Sequence, residues 1–262
     1  MTNKIRKPLT LQMLLFELRN ITGNPYVHLF GIVMPILMSY IIIRGVTMEV
    51  TDPALLCTIS TSVFLGMGVV IPMAIALMGY AATRAQEMEK GIPERLELFG
   101  IRSSVTLCNR IAAELIFILI VFILYFVYGG LFFELESPKV SGAVIYTVSM
   151  LALTIILLCI AHGVASFLKK FGPTYCVVMI LYFAFMLFSG MMGLSYDNMP
   201  SGIQFVAKLL PTTYLNKDIY TIWVGESCRF APMIQSYLLW AVIAGILLIA
   251  TAEIKQKYRK SL

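Results

Sequence analysis

Six long apolar stretches, separated by shorter polar segments, run along the sequence. They cover residues 26–43, 54–82, 105–133, 141–168, 173–192 and 232–252. A helix needs roughly 18 to 20 apolar residues to cross the hydrocarbon of a bilayer, and each stretch reaches about that length. None alternates strictly between apolar and polar residues, as barrel strands do. The pattern therefore predicts an all-α polytopic membrane protein with six transmembrane helices, in a single domain over residues 1–262.

Residues 1–25, before the first stretch, have a helical pattern of their own. Apolar residues recur there at helical spacing, at Leu11, Leu14, Leu15, Leu18 and Ile21. One apolar stripe among polar residues is typical of a helix lying along a membrane surface. We expect a cytoplasmic amphipathic helix here, and two roles are open for it: a simple interfacial anchor, or contact with a partner.

The second stretch is too long for a straight span. As one helix, its residues 54–82 would be about 43 Å long, beyond the thickness of the hydrocarbon. It must tilt, kink or project from the membrane. Pro72 is the predicted kink site, because proline removes a helical hydrogen bond.

The segment 83–104 is the most charged part of the chain. Gly91 and Pro93 interrupt it, and residues 93–99 can form a short helix that Gly100 stops. Leu96, Leu98 and Phe99 would give that helix an apolar surface.

The segment 193–231 is too apolar for a free loop. Ile203, Val206, Leu209 and Leu210 predict a short amphipathic helix stopped by Pro211, and residues 214–224 predict a second. We expect an extracytoplasmic re-entrant segment that precedes the last transmembrane helix.

The composition agrees with a membrane protein. Of the residues, 59% are hydrophobic and 13% charged, against about 45–50% and 25% in soluble domains.

The six spans place fifteen of the 20 Lys and Arg residues on one side and five on the other. The positive-inside rule then predicts that both termini are cytoplasmic. We expect a multi-pass protein of the plasma membrane. Topology accounts for the net charge of +6, so no nucleic-acid partner is expected.

Motifs for self-contained chemistry are absent from the sequence. There is no G-x-x-x-x-G-K-[ST] phosphate loop, and no H-E-x-x-H, C-x-x-C or G-x-S-x-G pattern. The five cysteines lack the spacing of metal ligands. We therefore expect no catalytic residues, no metal and no bound cofactor, and a chain that is not an enzyme.

Two ionisable residues lie inside predicted spans, where a charge is costly. Glu114 and His162 would be at similar depth on neighbouring antiparallel helices. They could form a proton or substrate site. Alternatively, Glu114 pairs with Arg110 one turn away and His162 bonds a neighbouring helix. Both interpretations stay open.

Two motifs resemble those of one transporter family. E-M-E-K-G-I-P-E-R-L at 87–96 is similar to the loop E-x-E-x-G-[TS]-x-E-x-L, with Ile92 in place of Thr or Ser. F-S-G-M-M at 188–192, followed by L-P-T-T-Y at 210–214, is similar to a second motif pair. These motifs, with the six spans, resemble the second-type ABC exporter permeases, which include drug, lantibiotic, polysaccharide and sodium exporters.

The resemblance implies a permease paired with a second copy or a paralogue in membrane lipid, and two copies of an ABC ATPase that hold ATP and Mg. The residues implied to couple to the ATPase are Glu87, Glu89, Gly91, Pro93, Glu94, Arg95, Leu96, Glu97, Leu98 and Phe99. Those implied to line the translocation path or outer gate are Phe64, Met67, Ile71, Phe183, Met186, Phe188 and Met191. The cargo would be an amphipathic drug, a peptide, a lipid or a polysaccharide. The alternative is a proton-coupled secondary transporter that uses Glu114 and His162.

Overall fold

The computed structural model describes residues 11–101, 103–192 and 196–260, with side chains up to Glu253. The predicted segments 1–25, 83–104 and 193–231 therefore extend to positions outside the described residues, namely 1–10, Arg102 and 193–195. The helices, in chain order, are α1 (Leu11–Thr22), α2 (Pro25–Glu49), α3 (Pro53–Glu89), α4 (Ile92–Leu98), α5 (Ser103–Phe132), α6 (Val140–Leu168), α7 (Phe171–Phe188), α8 (Ser201–Lys208), α9 (Pro211–Lys217), α10 (Ile219–Val224) and α11 (Phe230–Lys260).

Six of these helices are long and apolar enough to cross a membrane, namely α2, α3, α5, α6, α7 and the Phe230–Glu253 part of α11. They coincide with the six predicted stretches, and the described ranges contain no β-strand. The predicted all-α fold with six transmembrane helices is confirmed. One end of the bundle carries α1, α4 and the turn between α6 and α7, and we call it the α4 end. The other carries α8, α9 and α10, and we call it the outer-segment end.

Short polar and proline signals set the helix starts. The side chain of Asn24 accepts a hydrogen bond from the Tyr26 amide at 3.0 Å, just before α2. The side chain of Asp52 accepts one from the Ala54 amide at 3.0 Å, before α3. In both cases proline follows the capping residue. At this first helical position no N–H forms a bond within the helix, so proline, which has no N–H, costs nothing there.

Helix α3 forms the centre of the bundle. All of its residues from Met73 to Ala82 are buried. Its hydrogen-bond pattern changes at Val69, and a π-helical segment, Met73–Gly79, begins immediately after Pro72. The structure thus has a π-helical segment directly after Pro72 inside one continuous span, while the predicted kink at Pro72 stays a prediction. Widening of this kind is frequent where a helix has a functional role.

Helix α1 packs against α5. Glu17 and Ile21 are buried in that contact, whereas Leu11, Leu15 and Phe16 are 71%, 55% and 65% exposed. The predicted helix is thus present, but one of its charged residues faces the protein and three of its apolar residues face outward. Its position on a membrane surface stays a prediction.

The described part of the segment 193–231, which we call the outer segment, differs in part from the predicted pair of helices. α8 ends at Lys208, before Leu209 and Leu210, and Pro211 begins α9 rather than ending the preceding helix. The second predicted helix, 214–224, is divided at Asp218 into α9 and α10. Leu215, Ile219 and Ile222 are buried against the spans. The physical reason is packing, because α9 and α10 each bury residues against the rest of the chain.

Candidate functional site

Helix α4 begins at a backbone conformation that glycine favours. α3 ends at Glu89, and Gly91 then has φ +64°, in the left-handed region. Any side chain at this position would be strained there. Pro93 follows in the first turn of α4 and is buried. The glycine supplies the left-handed residue between α3 and α4, and the proline restricts the backbone of the first turn of α4.

The other end of α4 is closed by a Schellman motif. Gly100 has φ +82°, its amide donates to the Glu97 carbonyl at 3.0 Å, and the Ile101 amide donates to the Leu96 carbonyl at 3.0 Å. This arrangement satisfies carbonyls at the end of the helix. α4 therefore has defined backbone geometry at both ends, although it is only seven residues long.

Two carboxylates just before α4 hold it to neighbouring helices. Glu87 accepts hydrogen bonds from Asn20 of α1 and from Arg84, each at 3.3 Å. Glu89 accepts one at 2.7 Å from the Phe171 amide at the start of α7. Both motif residues therefore form hydrogen bonds to neighbouring helices, although Glu89 is itself exposed. They join α3 to α1 and α7, so a displacement of α4 would act on three helices at once.

The exposed apolar residues of α4 and its end are Leu98 and Phe99, at 87% and 76% exposure. Leu96 is only partly exposed, while Glu94 and Arg95 are exposed beside them. The sequence predicted three apolar residues on one surface. The structure exposes two of them fully and turns the third partly toward the chain.

A buried ionic cluster lies at the same end, around Arg110 of α5. The guanidinium donates to Glu17 of α1 at 2.8 Å and to Glu114 at 3.2 Å. Arg110 and Glu114 are 2% and 0% exposed. The expected pairing of Glu114 with Arg110 is present. Sequence reasoning missed the third member, Glu17, because the partner lies 93 residues away in the chain.

The ring of Tyr80 connects this cluster to His162. The Arg110 guanidinium carbon lies 5.0 Å from the centre of that ring. The Tyr80 hydroxyl and His162 Nδ1 share a hydrogen bond of 2.5 Å. His162 therefore bonds a neighbouring helix, as the structural interpretation of the sequence expected. Arg110 and Tyr80 connect Glu114 to His162, and the sequence did not single out Tyr80.

The two parts of the second motif contact each other at the outer-segment end. The Ser189 hydroxyl hydrogen-bonds the Thr212 hydroxyl, and Asn216 donates to the Ser189 carbonyl at 2.9 Å. Ser189 and Thr212 are 1% and 0% exposed. The end of α7 is therefore fastened to α9 by buried hydrogen bonds.

Comparison with protein families identifies this arrangement. A sequence model described as ABC-2 type transporter matches residues 8–222, which is most of the chain and includes α4, both motifs and five of the six spans. The chain belongs to the ABC-2 type transporter family. It is thus a multi-pass membrane permease subunit of an ABC-type transporter, and the family implies a separate ABC ATPase as its partner. Comparison with curated proteins finds no match, and comparison with solved structures finds none either.

The residues that the family resemblance assigned to a translocation path are in two different environments of this ABC-2 subunit. Phe64, Met67 and Ile71 of α3 are 1%, 6% and 1% exposed, inside the core of the single chain. The Phe64 ring stacks on Tyr125, with 4.2 Å between ring centres. These three side chains therefore do not reach the surface of the chain as it stands.

The second group lies on and after α7. Phe183 is 46% exposed, Met186 and Phe188 are partly exposed, and Met191 is 5% exposed. Of the seven residues, Phe183 is the most exposed. The assignment of the set to a path stays a prediction.

The sequence also missed a cluster around Glu136, between α5 and α6. Its carboxylate accepts hydrogen bonds from Tyr220 at 2.7 Å and Thr58 at 3.3 Å, and its carbonyl accepts one from the Trp223 indole at 2.8 Å. The cluster holds α10 against the spans of the ABC-2 fold. The sequence signals for this cluster are a carboxylate between two spans and aromatic residues in the outer segment. These signals are too weak to predict the cluster without the contacts.

Proposed function

We propose that this permease couples to its ABC ATPase through α4 and exports its cargo through a path formed with a second permease copy. The observation that carries the proposal is the exposure of Leu98 and Phe99 on a helix whose two ends are fixed by Gly91 and Gly100. Two large apolar side chains in water lower solubility unless a partner covers them. A few buried anchors of this kind usually supply most of the energy of an interface.

The contacts behind α4 support a mechanical role. Glu87 and Glu89 join the base of α4 to α1 and α7, and α3 continues as the central helix of the bundle. Force applied to α4 would therefore reach the centre of the bundle directly. ATP and Mg would be held by two copies of the ATPase, while this chain would supply the membrane path. The α4 end would be cytoplasmic, in the plasma membrane.

The cargo that we infer is an amphipathic drug, a peptide, a lipid or a polysaccharide. The support is the wide apolar surface of the spans and the aromatic and methionine residues of α7, which suit varied apolar ligands. Phe183 and Met186 would contact the cargo, and the hydrogen-bonded junction of Ser189 and Thr212 would be part of the outer gate.

The test is a double substitution of the two exposed residues. Leu98→Ala with Phe99→Ala should leave the permease folded but reduce co-purification with the ATPase and permease-stimulated ATP hydrolysis at least about tenfold, since each lost anchor costs roughly 1 to 2 kcal/mol. The matched control is Met48→Ala with Leu131→Ala. These residues are 87% and 75% exposed, and they lie at the outer-segment ends of α2 and α5, away from α4. Equal ATPase binding by both double variants would refute the α4 coupling.

Orientation has its own test, which is labelling from each side of sealed vesicles. In a cysteine-free background, Asn198→Cys should react only from the outer side and Lys90→Cys only from the cytoplasmic side. Both residues are exposed, so reagent access does not limit the result. The reverse pattern would contradict the predicted orientation.

A proton-coupled carrier using Glu114 and His162 is the second candidate. One observation favours it: Glu114 Oε2 is buried and has no hydrogen-bond partner among the described residues. Such a carrier would transport in vesicles that contain a proton gradient, but neither nucleotide nor ATPase, and Glu114→Gln would abolish that transport. The exporter proposal expects no transport under these conditions and expects ATP-driven transport once the ATPase is present.

A further inference from the structure

A cavity of about 340 Å³ opens at the outer-segment end, between the end of α2, the start of α3 and the end of α5. Its volume is in the lower part of the range of about 300 to 1,000 Å³ that ligand sites occupy. Ile43, Leu56 and Phe133 supply apolar lining, and Arg44, Ser60 and Glu134 supply polar lining. No residue assigned above to coupling or transport lines this cavity.

The two charged residues of the cavity have opposite sign but are not paired with each other. Arg44 and Glu134 are absent from the ion pairs of the described residues. The Arg44 guanidinium instead lies 5.4 Å from the centre of the Tyr40 ring. Ser60, only 4% exposed, adds a hydroxyl to the same lining. The cavity therefore offers a cation, a hydroxyl and an anion to one ligand.

The cavity lies near the ends of α2 and α5 and the start of α3, where the headgroup region of a bilayer would meet the spans. Arg44 is five residues, or about 7.5 Å, before the end of α2 at Glu49. A basic side chain at that depth can extend along the helix to the membrane surface. Charged lining at the interface would therefore meet the phosphate layer of the lipid.

An apolar track continues from the cavity toward the membrane centre. Leu37 and Ile41 of α2 are on the Arg44 side of the helix and are 45% and 54% exposed. Leu124 and Phe132 of α5 are 55% and 54% exposed. α2 and α5 are adjacent there, because the Tyr128 hydroxyl donates to the Ile36 carbonyl at 3.2 Å. Acyl chains could lie along these exposed residues.

We propose that the cavity binds the headgroup of a zwitterionic phospholipid. Arg44 and Ser60 would donate hydrogen bonds to the phosphate, since a guanidinium matches phosphate oxygens in a bidentate manner. Glu134 would accept hydrogen bonds from the ammonium group. The carboxylate disfavours a purely anionic lipid, and the apolar track favours a lipid over a soluble zwitterion. The site is independent of the ATPase and of the exported cargo.

Native mass spectrometry of the purified full chain tests the site. The probes are dioleoyl phosphatidylethanolamine, dioleoyl phosphatidylglycerol, dioleoylglycerol and soluble glycerophosphoethanolamine. Wild type should retain phosphatidylethanolamine best. Arg44→Gln and Glu134→Gln should each weaken its binding about tenfold, the effect of losing one charged hydrogen bond. Glu134→Gln should not weaken phosphatidylglycerol binding, because that lipid has no ammonium group.

The matched controls are Arg229→Gln and Glu226→Gln, which remove exposed charges at the same end of the bundle. They should bind phosphatidylethanolamine like wild type. The proposal fails if all four variants retain phosphatidylethanolamine equally. It also fails if dioleoylglycerol binds to wild type as well as phosphatidylethanolamine does. It also fails if glycerophosphoethanolamine binds as tightly as the intact lipid, because the site would then be one for soluble zwitterions.

Discussion

Arg110 of α5 and Glu17 of α1 form an ion pair of 2.8 Å that is almost entirely buried. The same guanidinium also pairs with Glu114 of its own helix, α5, and lies over the ring of Tyr80 of α3. α1 is thus attached to the bundle by charge as well as by packing. Removing Glu17 would take one of two carboxylate partners from the buried Arg110 guanidinium, which would keep its pair with Glu114.

Glu17→Gln should destabilise the permease by about 2 kcal/mol, the usual worth of one buried hydrogen bond between charged groups. Unfolding in detergent, followed by near-ultraviolet circular dichroism against denaturant, measures this change. Glu94→Gln is the control, since Glu94 is exposed on α4. An equal midpoint for Glu17→Gln and wild type would mean that the pair contributes nothing to stability.

Ser189 and Thr212 should show coupled stability effects. Each single change, Ser189→Ala or Thr212→Val, should cost about 1 kcal/mol, because a buried hydroxyl loses its partner. The double variant should cost less than the sum, by about 0.5 kcal/mol or more, since the two residues are in direct contact. Strict additivity in this double-mutant cycle would contradict the hydrogen bond that joins α7 to α9.

Gly142 of α6 should not tolerate a side chain. A Cβ atom there would lie 2.5 Å from the carbonyl oxygens of Ile222 and Trp223, which are backbone atoms that cannot rotate away. Gly142→Ala should therefore cost about 1 to 3 kcal/mol. Gly245→Ala is the matched control in another span, because nothing lies within 4 Å of its Cβ position. A neutral result for Gly142→Ala would show that α10 does not pack on α6 as described.

Asp218, between α9 and α10, should make stability depend on pH. Burial raises the pKa of its carboxyl, the positive charge of Lys217 partly opposes this, and Asp197 adds to the rise. A raised folded-state pKa gives stability that is complete below the unfolded-state pKa and is lost as pH rises through the folded-state pKa. Asp218→Asn should therefore stabilise the protein at pH 7 and have little effect at pH 3.

Thermal midpoints in detergent at the two pH values measure this difference. Glu226→Gln serves as the control, because Glu226 is exposed and is not among the charges that shift the pKa of Asp218. The same change in midpoint at both pH values would contradict the assignment to Asp218.

The sequence alone determined the transmembrane architecture and the boundaries of α4. Each span can be predicted from its own residues, since a long apolar stretch has no stable alternative to a helix in lipid. α4 was also predictable, because Gly91, Pro93 and Gly100 act on the backbone beside them and need no distant partner. Its observed range of Ile92–Leu98 differs by one residue at each end from the predicted 93–99.

Only the tertiary structure decided which polar residues meet and which apolar residues are covered. Glu17 and Arg110 are 93 residues apart, and Thr58 and Tyr220 are 162 residues apart. Their contacts depend on how the helices pack, which the apolar pattern of a span does not specify. Phe64 illustrates the same limit, because spans that are apolar all round carry no signal for the face that turns inward. In lipid, both faces are apolar, so packing against neighbouring helices fixes the rotation of each span.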